Sequence, residues 1–220
     1  MSKGSGGAAR LVLVPTELEL RQLEALGGLP PSLGTPALCG FGPVAAAART
    51  AELLARLAPR HVFLVGIAGT LAPARVPLGS ALSFASVVLD GVGAGSGTSF
   101  LPPSRLGFPQ WGRPGAADAI EERLELAERG EGELLTVTAA SASFAEAEER
   151  RRRHPAALGE DMEGFGAALA CRLAGIPLTI VRGFSNAAGD RSREHWDVRG
   201  ALAAARTLLM ERAASAGVTR

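Results

Sequence analysis

Tyrosine is absent from this 220-residue chain, aromatic residues make up only 5% of it, and it has two cysteines and three histidines. Each shortage excludes something. Cys39 and Cys171 both sit among apolar neighbours, the setting of reduced core thiols rather than of a disulfide framework or a metal pair. His61, His154 and His195 are too dispersed to read as a metal site. The net charge of +1 gives no electrostatic footprint for nucleic acid or an anionic membrane surface. No apolar run approaches the ~20 residues of a membrane span. Met1–Arg10 carries a lysine and small residues without the apolar centre of a signal peptide, and reads as a flexible tail. A cytoplasmic chain is expected, with residues 11–220 forming one domain.

What is abundant is small and apolar: a 47% hydrophobic fraction carried mostly by Ala, Leu and Val, with 28 glycines. Short continuous apolar runs read as buried strands at 11–14, 36–39, 62–65, 80–89, 134–138 and 176–181. Between them fall helical patterns: an acidic helix capped by Thr16, an Ala-rich helix from Pro43 to about Leu57, and charged helices over 116–129 and 145–153. A small-residue helix over 163–174 and a closing Ala/Leu helix over 198–215 complete the set. This alternation predicts an α/β fold, a three-layer α/β/α sandwich around a mixed, mostly parallel sheet. Residues 91–115, rich in Gly, Pro and Ser, read as a long lid or binding loop.

Ligands of such sheets bind beyond the carboxyl ends of the strands. Five segments are expected there: 16–19, 66–70, 139–144, 161–164 and 185–188. Glu17 and Glu19 follow the first strand, where a helix dipole favours carboxylates and where one of them is placed to act as a general base on water. Gly66–Thr70 reads as a tight turn leaving a buried strand, and Arg150–Arg153 as a solvated helix face.

Two motifs are more specific, Glu160-Asp161-Met162-Glu163-Gly164 and Val181-Arg182-Gly183-Phe184-Ser185-Asn186. They resemble the ribose clamp and base-recognition loop of the purine nucleoside phosphorylase/nucleosidase superfamily, and Asn186, where adenine-specific members carry Asp, resembles its futalosine hydrolase branch. The resemblance extends from Leu11 to about Leu209. It implies a nucleoside phosphorylase-like fold, a homodimer or higher homo-oligomer, a small-molecule nucleoside substrate, and no cofactor or metal. It also implies hydrolysis of futalosine to hypoxanthine and dehypoxanthine futalosine, a step of menaquinone synthesis.

Site roles follow from the same likeness. Glu19, favoured over Glu17, activates water; Glu163 binds the ribose hydroxyls and Met162 packs on the sugar. Ala68 and Gly69 line the pocket, Phe144 stacks on the base, and Ser185 and Asn186 meet the purine. An Asn amide offers an acceptor to N7–H and a donor to O6, the pattern of a 6-oxopurine. Arg191 or Arg193 is a candidate partner for a substrate carboxylate. The acidic first loop disfavours phosphate, hence phosphorolysis. The alternatives are a methylthioadenosine/adenosylhomocysteine nucleosidase, opposed by Asn186, an inosine-type phosphorylase, opposed by the missing arginines in the first loops, and a non-catalytic purine-nucleoside-binding protein.

Overall fold

The computed structural model describes residues 10–126 and 130–215. The tail expected over 1–10 lies outside them except for Arg10, which opens the first strand, β1 (Arg10–Val14). Side chains of β1 alternate between two cores. Leu11 and Leu13 enter one, Val12 and Val14 the other, and all four are buried. Burying each contributes roughly 1.5–3 kcal/mol. Among the described residues nine strands form one mixed sheet: β2 (Pro36–Leu38), β3 (His61–Thr70), β4 (Ala81–Ser83), β5 (Ser86–Leu89), β6 (Arg123–Glu125), β7 (Glu133–Thr136), β8 (Ala157–Asp161) and β9 (Leu178–Ala187) join β1. The pairings of β1 with β2 and β3, β3 with β9, and β7 with β5 and β8 are parallel. Those of β3 with β8, β4 with β9 and β5 with β6 are antiparallel.

Helices cover both faces, as expected. On one side α1 (Glu17–Ala25) and α6 (Val198–Ser215) close over Val12, Phe63, Val65 and Val181. On the other, α2 (Pro43–Leu57) and α5 (Gly164–Ala174) pack against each other and over Leu13, Leu64 and Ile180. The small residues of α5 permit that contact: a Cβ on Gly166 would lie 2.1 Å from the carbonyl oxygen of Pro43. Residue 166 thereby brings the amino ends of α2 and α5 together. Two short helices remain, α3 (Pro103–Leu106) and α4 (Phe144–Arg153). No helix among the described residues is long and apolar enough to cross a membrane.

Three expectations need correction, and one further strand appears. The expected turn at 66–70 is strand, because β3 continues beside β9 and then meets β8. The strand read over 80–89 is two, β4 pairing with β9 and β5 with β6 and β7, so one apolar run serves two neighbours. The helix expected over 116–129 is irregular chain leading to β6, whose pairing with β5 overrides a charged, helix-like composition; residues 127–129 lie outside the described residues. Residues 157–161, to which the sequence reading assigns no element, form the buried β8 although Gly159, Glu160 and Asp161 are poor strand formers.

Candidate active site

A cavity of about 220 Å³ opens at the carboxyl ends of β1, β3, β8 and β9. Its wall includes Glu19, Ala68, Gly69, Met162, Glu163, Ser185 and Asn186, seven of the eight residues singled out in the sequence. The eighth is elsewhere. Phe144 opens α4, is 64% exposed, and faces an adjoining groove with Leu71, Arg75 and Arg151. Its aromatic ring suggested a base platform, but its position as the first residue of a surface helix turns it away from the cavity. The 91–115 segment contributes no residue to the cavity wall either.

The two candidate bases separate cleanly. Glu17 points outward and pairs with Arg21 at 2.6 Å. Glu19 is 4% exposed. It closes a capping box: its Oε2 accepts from the Thr16 amide at 3.0 Å and the Thr16 hydroxyl at 2.6 Å, while the Glu19 amide donates to the Thr16 hydroxyl oxygen. Its Oε1 accepts from the Ile67 amide at 2.9 Å. The local cap and the continued strand β3 thus fix one carboxylate in one orientation.

The largest fully buried side chain is Arg182, on β9. Its Nε and Nη2 donate to Asp161 Oδ2 at 3.0 and 2.5 Å, and Nη2 also reaches Glu163 Oε2 at 3.1 Å. Nη1 has no partner. A Cβ on Gly66 would lie 2.3 Å from Nη1 and 2.6 Å from Glu19 Oε1, so guanidinium and carboxylate approach each other across the bare glycine. Burial opposes the arginine's charge, but Asp161, Glu163 and Glu19 outweigh it and raise its pKa.

Asp161 is the brace of this cluster. Its Oδ1 accepts from Thr136 at 2.7 Å and its Oδ2 from the Gly164 amide at 2.8 Å as well as from Arg182. Glu163, the cap residue of α5, accepts at Oε1 from the Gly42 amide at 3.1 Å, the amino end of α2. Burial lifts the Glu163 carboxyl from 4.5 to about 7; Asp161 and Glu19 add to the rise, while Arg182 and the Gly42 amide oppose it. Glu160, also on the wall, is held by Ser141 and by Arg150 at 3.0 Å. Arg150 therefore is no solvated face residue; only 15% of its side chain is exposed, between Glu160 and Asp90.

At the opposite wall stands Asn186, within β9 rather than past its end. Its Oδ1 accepts from the Ser185 hydroxyl at 2.9 Å. Its Nδ2 donates to the carbonyls of Ala187 at 2.9 Å and Asp190 at 3.4 Å. The amide is thereby oriented with acceptor capacity remaining on Oδ1, and its donors are engaged by the backbone. The expected donation from Asn186 to O6 does not match this orientation. Arg191 and Trp196 complete this end of the cavity, the guanidinium carbon 5.4 Å from the indole centroid.

The sequence reading gave Arg182, Asp161 and Gly66 no role of their own. Their signal was present: an arginine in an otherwise apolar strand demands buried counter-charges, and the acidic run from Glu160 to Glu163 offers them.

The profile of the phosphorylase superfamily matches residues 32–216. The chain is 38% identical over 170 residues to the futalosine hydrolase of Streptomyces coelicolor, spanning 75% of this chain and 72% of that protein. It is 35% identical over 154 residues to that of Acidothermus cellulolyticus, spanning 66% and 62%. Two solved structures share the fold. The 5′-methylthioadenosine/S-adenosylhomocysteine nucleosidase of Neisseria meningitidis, in complex with methylthio-immucillin-A, superposes with a TM-score of 0.75 at 19% identity, covering 95% of this chain and 100% of that one. The native futalosine hydrolase of Helicobacter pylori gives 0.73 at 17% identity, covering 94% and 98%.

Proposed function

This chain belongs to the phosphorylase superfamily, and from that premise we propose that it hydrolyses the N-glycosidic bond of futalosine, releasing hypoxanthine and dehypoxanthine futalosine in menaquinone synthesis. It is an N-glycosyl hydrolase. The observation that carries the reading is the union, in one cavity, of a fixed carboxylate and an oriented Asn186 amide, with a buried arginine behind that carboxylate, in a chain 35–38% identical to futalosine hydrolases.

In this mechanism water lies against the Glu19 carboxylate at the cavity wall, beneath the anomeric carbon. Glu19 accepts its proton as the oxygen bonds to C1′ and the C1′–N9 bond breaks. Such general-base assistance supplies about 10²–10⁴-fold. Glu163 accepts hydrogen bonds from the ribose hydroxyls, each worth roughly 1.5–3 kcal/mol, and Met162 packs on the sugar. Together the carboxylates favour the positive charge of the oxocarbenium-like transition state. Asn186 has no proton to give, so N7 is protonated from solvent, and Oδ1 then accepts from N7–H and stabilises the departing base.

The acidic wall supports hydrolysis over phosphorolysis: Glu19, Glu160, Asp161 and Glu163 all line the cavity, and a phosphate dianion there meets repulsion of several kcal/mol at low effective dielectric. Exposed Leu18 and Phe41 at the cavity and nearby Val44 support a homo-oligomer in which a partner covers this face. A cytoplasmic enzyme fits the pathway. The test is release of free base from futalosine, inosine and methylthioadenosine, each with and without phosphate. Phosphate-independent hypoxanthine from futalosine is the expected result; adenine from methylthioadenosine in its place overturns the assignment.

A further inference from the structure

We infer that Arg191 donates to the 6-oxo oxygen of the purine and is the residue that selects 6-oxopurine over 6-aminopurine nucleosides, an inference that rests on the nucleoside reading of the cavity. It follows from an accounting of donors. The side chains on the cavity wall with an N–H or O–H are those of Thr16, Ser185, Asn186, Arg191 and Trp196. Thr16 donates to Glu19, and Ser185 donates to Asn186 Oδ1. Asn186 Nδ2 donates to the carbonyls of Ala187 and Asp190, and Trp196 Nε1 donates to the Asp190 carbonyl at 3.1 Å. Among the described residues the Arg191 guanidinium has neither a hydrogen-bond acceptor nor an ion pair, so its five donors stand unengaged beside the Asn186 wall.

The surrounding loop sets its position. Trp196 serves as a platform for the guanidinium at 5.4 Å. The Asp190 carbonyl ties both Trp196 and Asn186 to the same point, and the Asp190 carboxylate is engaged by the Ser192 amide at 2.9 Å and His195 at 2.8 Å. The nearest acid in sequence is therefore occupied, leaving the cation for the ligand. A guanidinium carries donors only. It complements a carbonyl at C6 and leaves a 6-amino group, itself a donor, without a partner.

The test compares wild type, Arg191→Met and Arg191→Lys on two matched pairs, inosine with adenosine and futalosine with its 6-amino counterpart. Calorimetric titration with free hypoxanthine and free adenine accompanies it. Arg191→Met should lower kcat/KM for both 6-oxo substrates and weaken hypoxanthine binding about 10- to 100-fold, the loss of one charge-assisted bond. Adenosine and adenine should change little, and Arg191→Lys should recover part of the loss. Equal losses on 6-oxo and 6-amino ligands overturn the inference. So does a loss confined to futalosine with inosine and hypoxanthine spared, which assigns Arg191 to the carboxylate of the 5′ substituent. Arg191-dependent hypoxanthine binding in a chain that turns over no nucleoside sustains the inference while refuting the hydrolase reading.

Discussion

Replacing Gly66 by alanine isolates the catalytic geometry from everything else in the fold. A methyl group there would lie 2.3 Å from Arg182 Nη1, 2.6 Å from Glu19 Oε1 and 3.0 Å from Pro15 Cδ. Residue 66 lies within β3 and is not among the glycines with positive φ, so backbone strain plays no part and the perturbation is steric. Neither neighbour can yield cheaply. Glu19 is pinned by Thr16 and Ile67, and Arg182 by Asp161 and Glu163. Relief requires about an ångström of separation between the base and the guanidinium, and a displacement of that size costs on the order of 10²-fold in rate. Overpacking a closed site costs about 1–3 kcal/mol of stability, a fall in Tm of roughly 2–12 °C at this chain length. The assay is kcat/KM for futalosine beside a thermal melt. A Gly66→Ala enzyme that keeps wild-type turnover refutes a dependence of the reaction on the fixed orientation of Glu19.

Glu19→Gln keeps the size while removing the base, but its side-chain NH2 must face one of the N–H groups, of Thr16 or Ile67, from which Glu19 accepts; kcat should fall about 10²–10⁴-fold with a loss of about 1–3 kcal/mol of stability in the melt, and undiminished turnover removes Glu19 from the role. Between pH 4.5 and about 7 the folded chain holds a proton on Glu163 that the unfolded chain releases, so this group's contribution to stability is lost as pH rises through that window. Activity should move the opposite way, kcat/KM for futalosine rising with an apparent pKa near 7 that Glu163→Gln abolishes, as a pH–rate profile would record. Asn186→Asp gives up donation to two carbonyls and sets an anion beside Arg191, drawing the guanidinium from O6; preference should shift towards 6-aminopurines, measured as relative rates on inosine and adenosine.

How much of this was legible in the sequence depends on whether a signal is local. β1, α2 and α6 are each carried by their own apolar pattern and end signals, such as Pro43 in the first turn of α2, and their observed bounds lie within a residue or two of those expected. β6 and β8 are defined by neighbours. Their charged residues turn helix-like or loop-like composition into strand only because β5, β7 and β3 offer ladders to join. Phe144 shows the converse error, a residue type suited to stacking on a purine but placed on the outside of a helix by its register. Glu17 and Glu19 sit two residues apart, and only the capping box, which needs the helix start fixed at Thr16, tells the exposed carboxylate from the buried one.

The cluster around Arg182 is only partly legible in the sequence: an arginine in an apolar strand calls for counter-charges, but its members do work that only their sum explains. Glu19, Asp161 and Glu163 place three carboxyl groups around one guanidinium. With Glu163 protonated the charge is close to −1; with it ionised it approaches −2, and burial first, with Asp161 and Glu19 adding to it against Arg182, raises its pKa to about 7. Arg182 is thus the minority charge, sufficient to hold the acids in position and insufficient to neutralise them. The remainder faces the cavity, where it favours an oxocarbenium-like sugar and opposes an incoming phosphate. Removing Arg182 would leave three buried acids without a counter-charge, at a cost of about 3–5 kcal/mol. Removing an acid would instead shift the site towards neutrality, the condition under which phosphate becomes an acceptable nucleophile. Preference for water over phosphate is on this view a property of the excess charge, set by one arginine among three carboxyl groups.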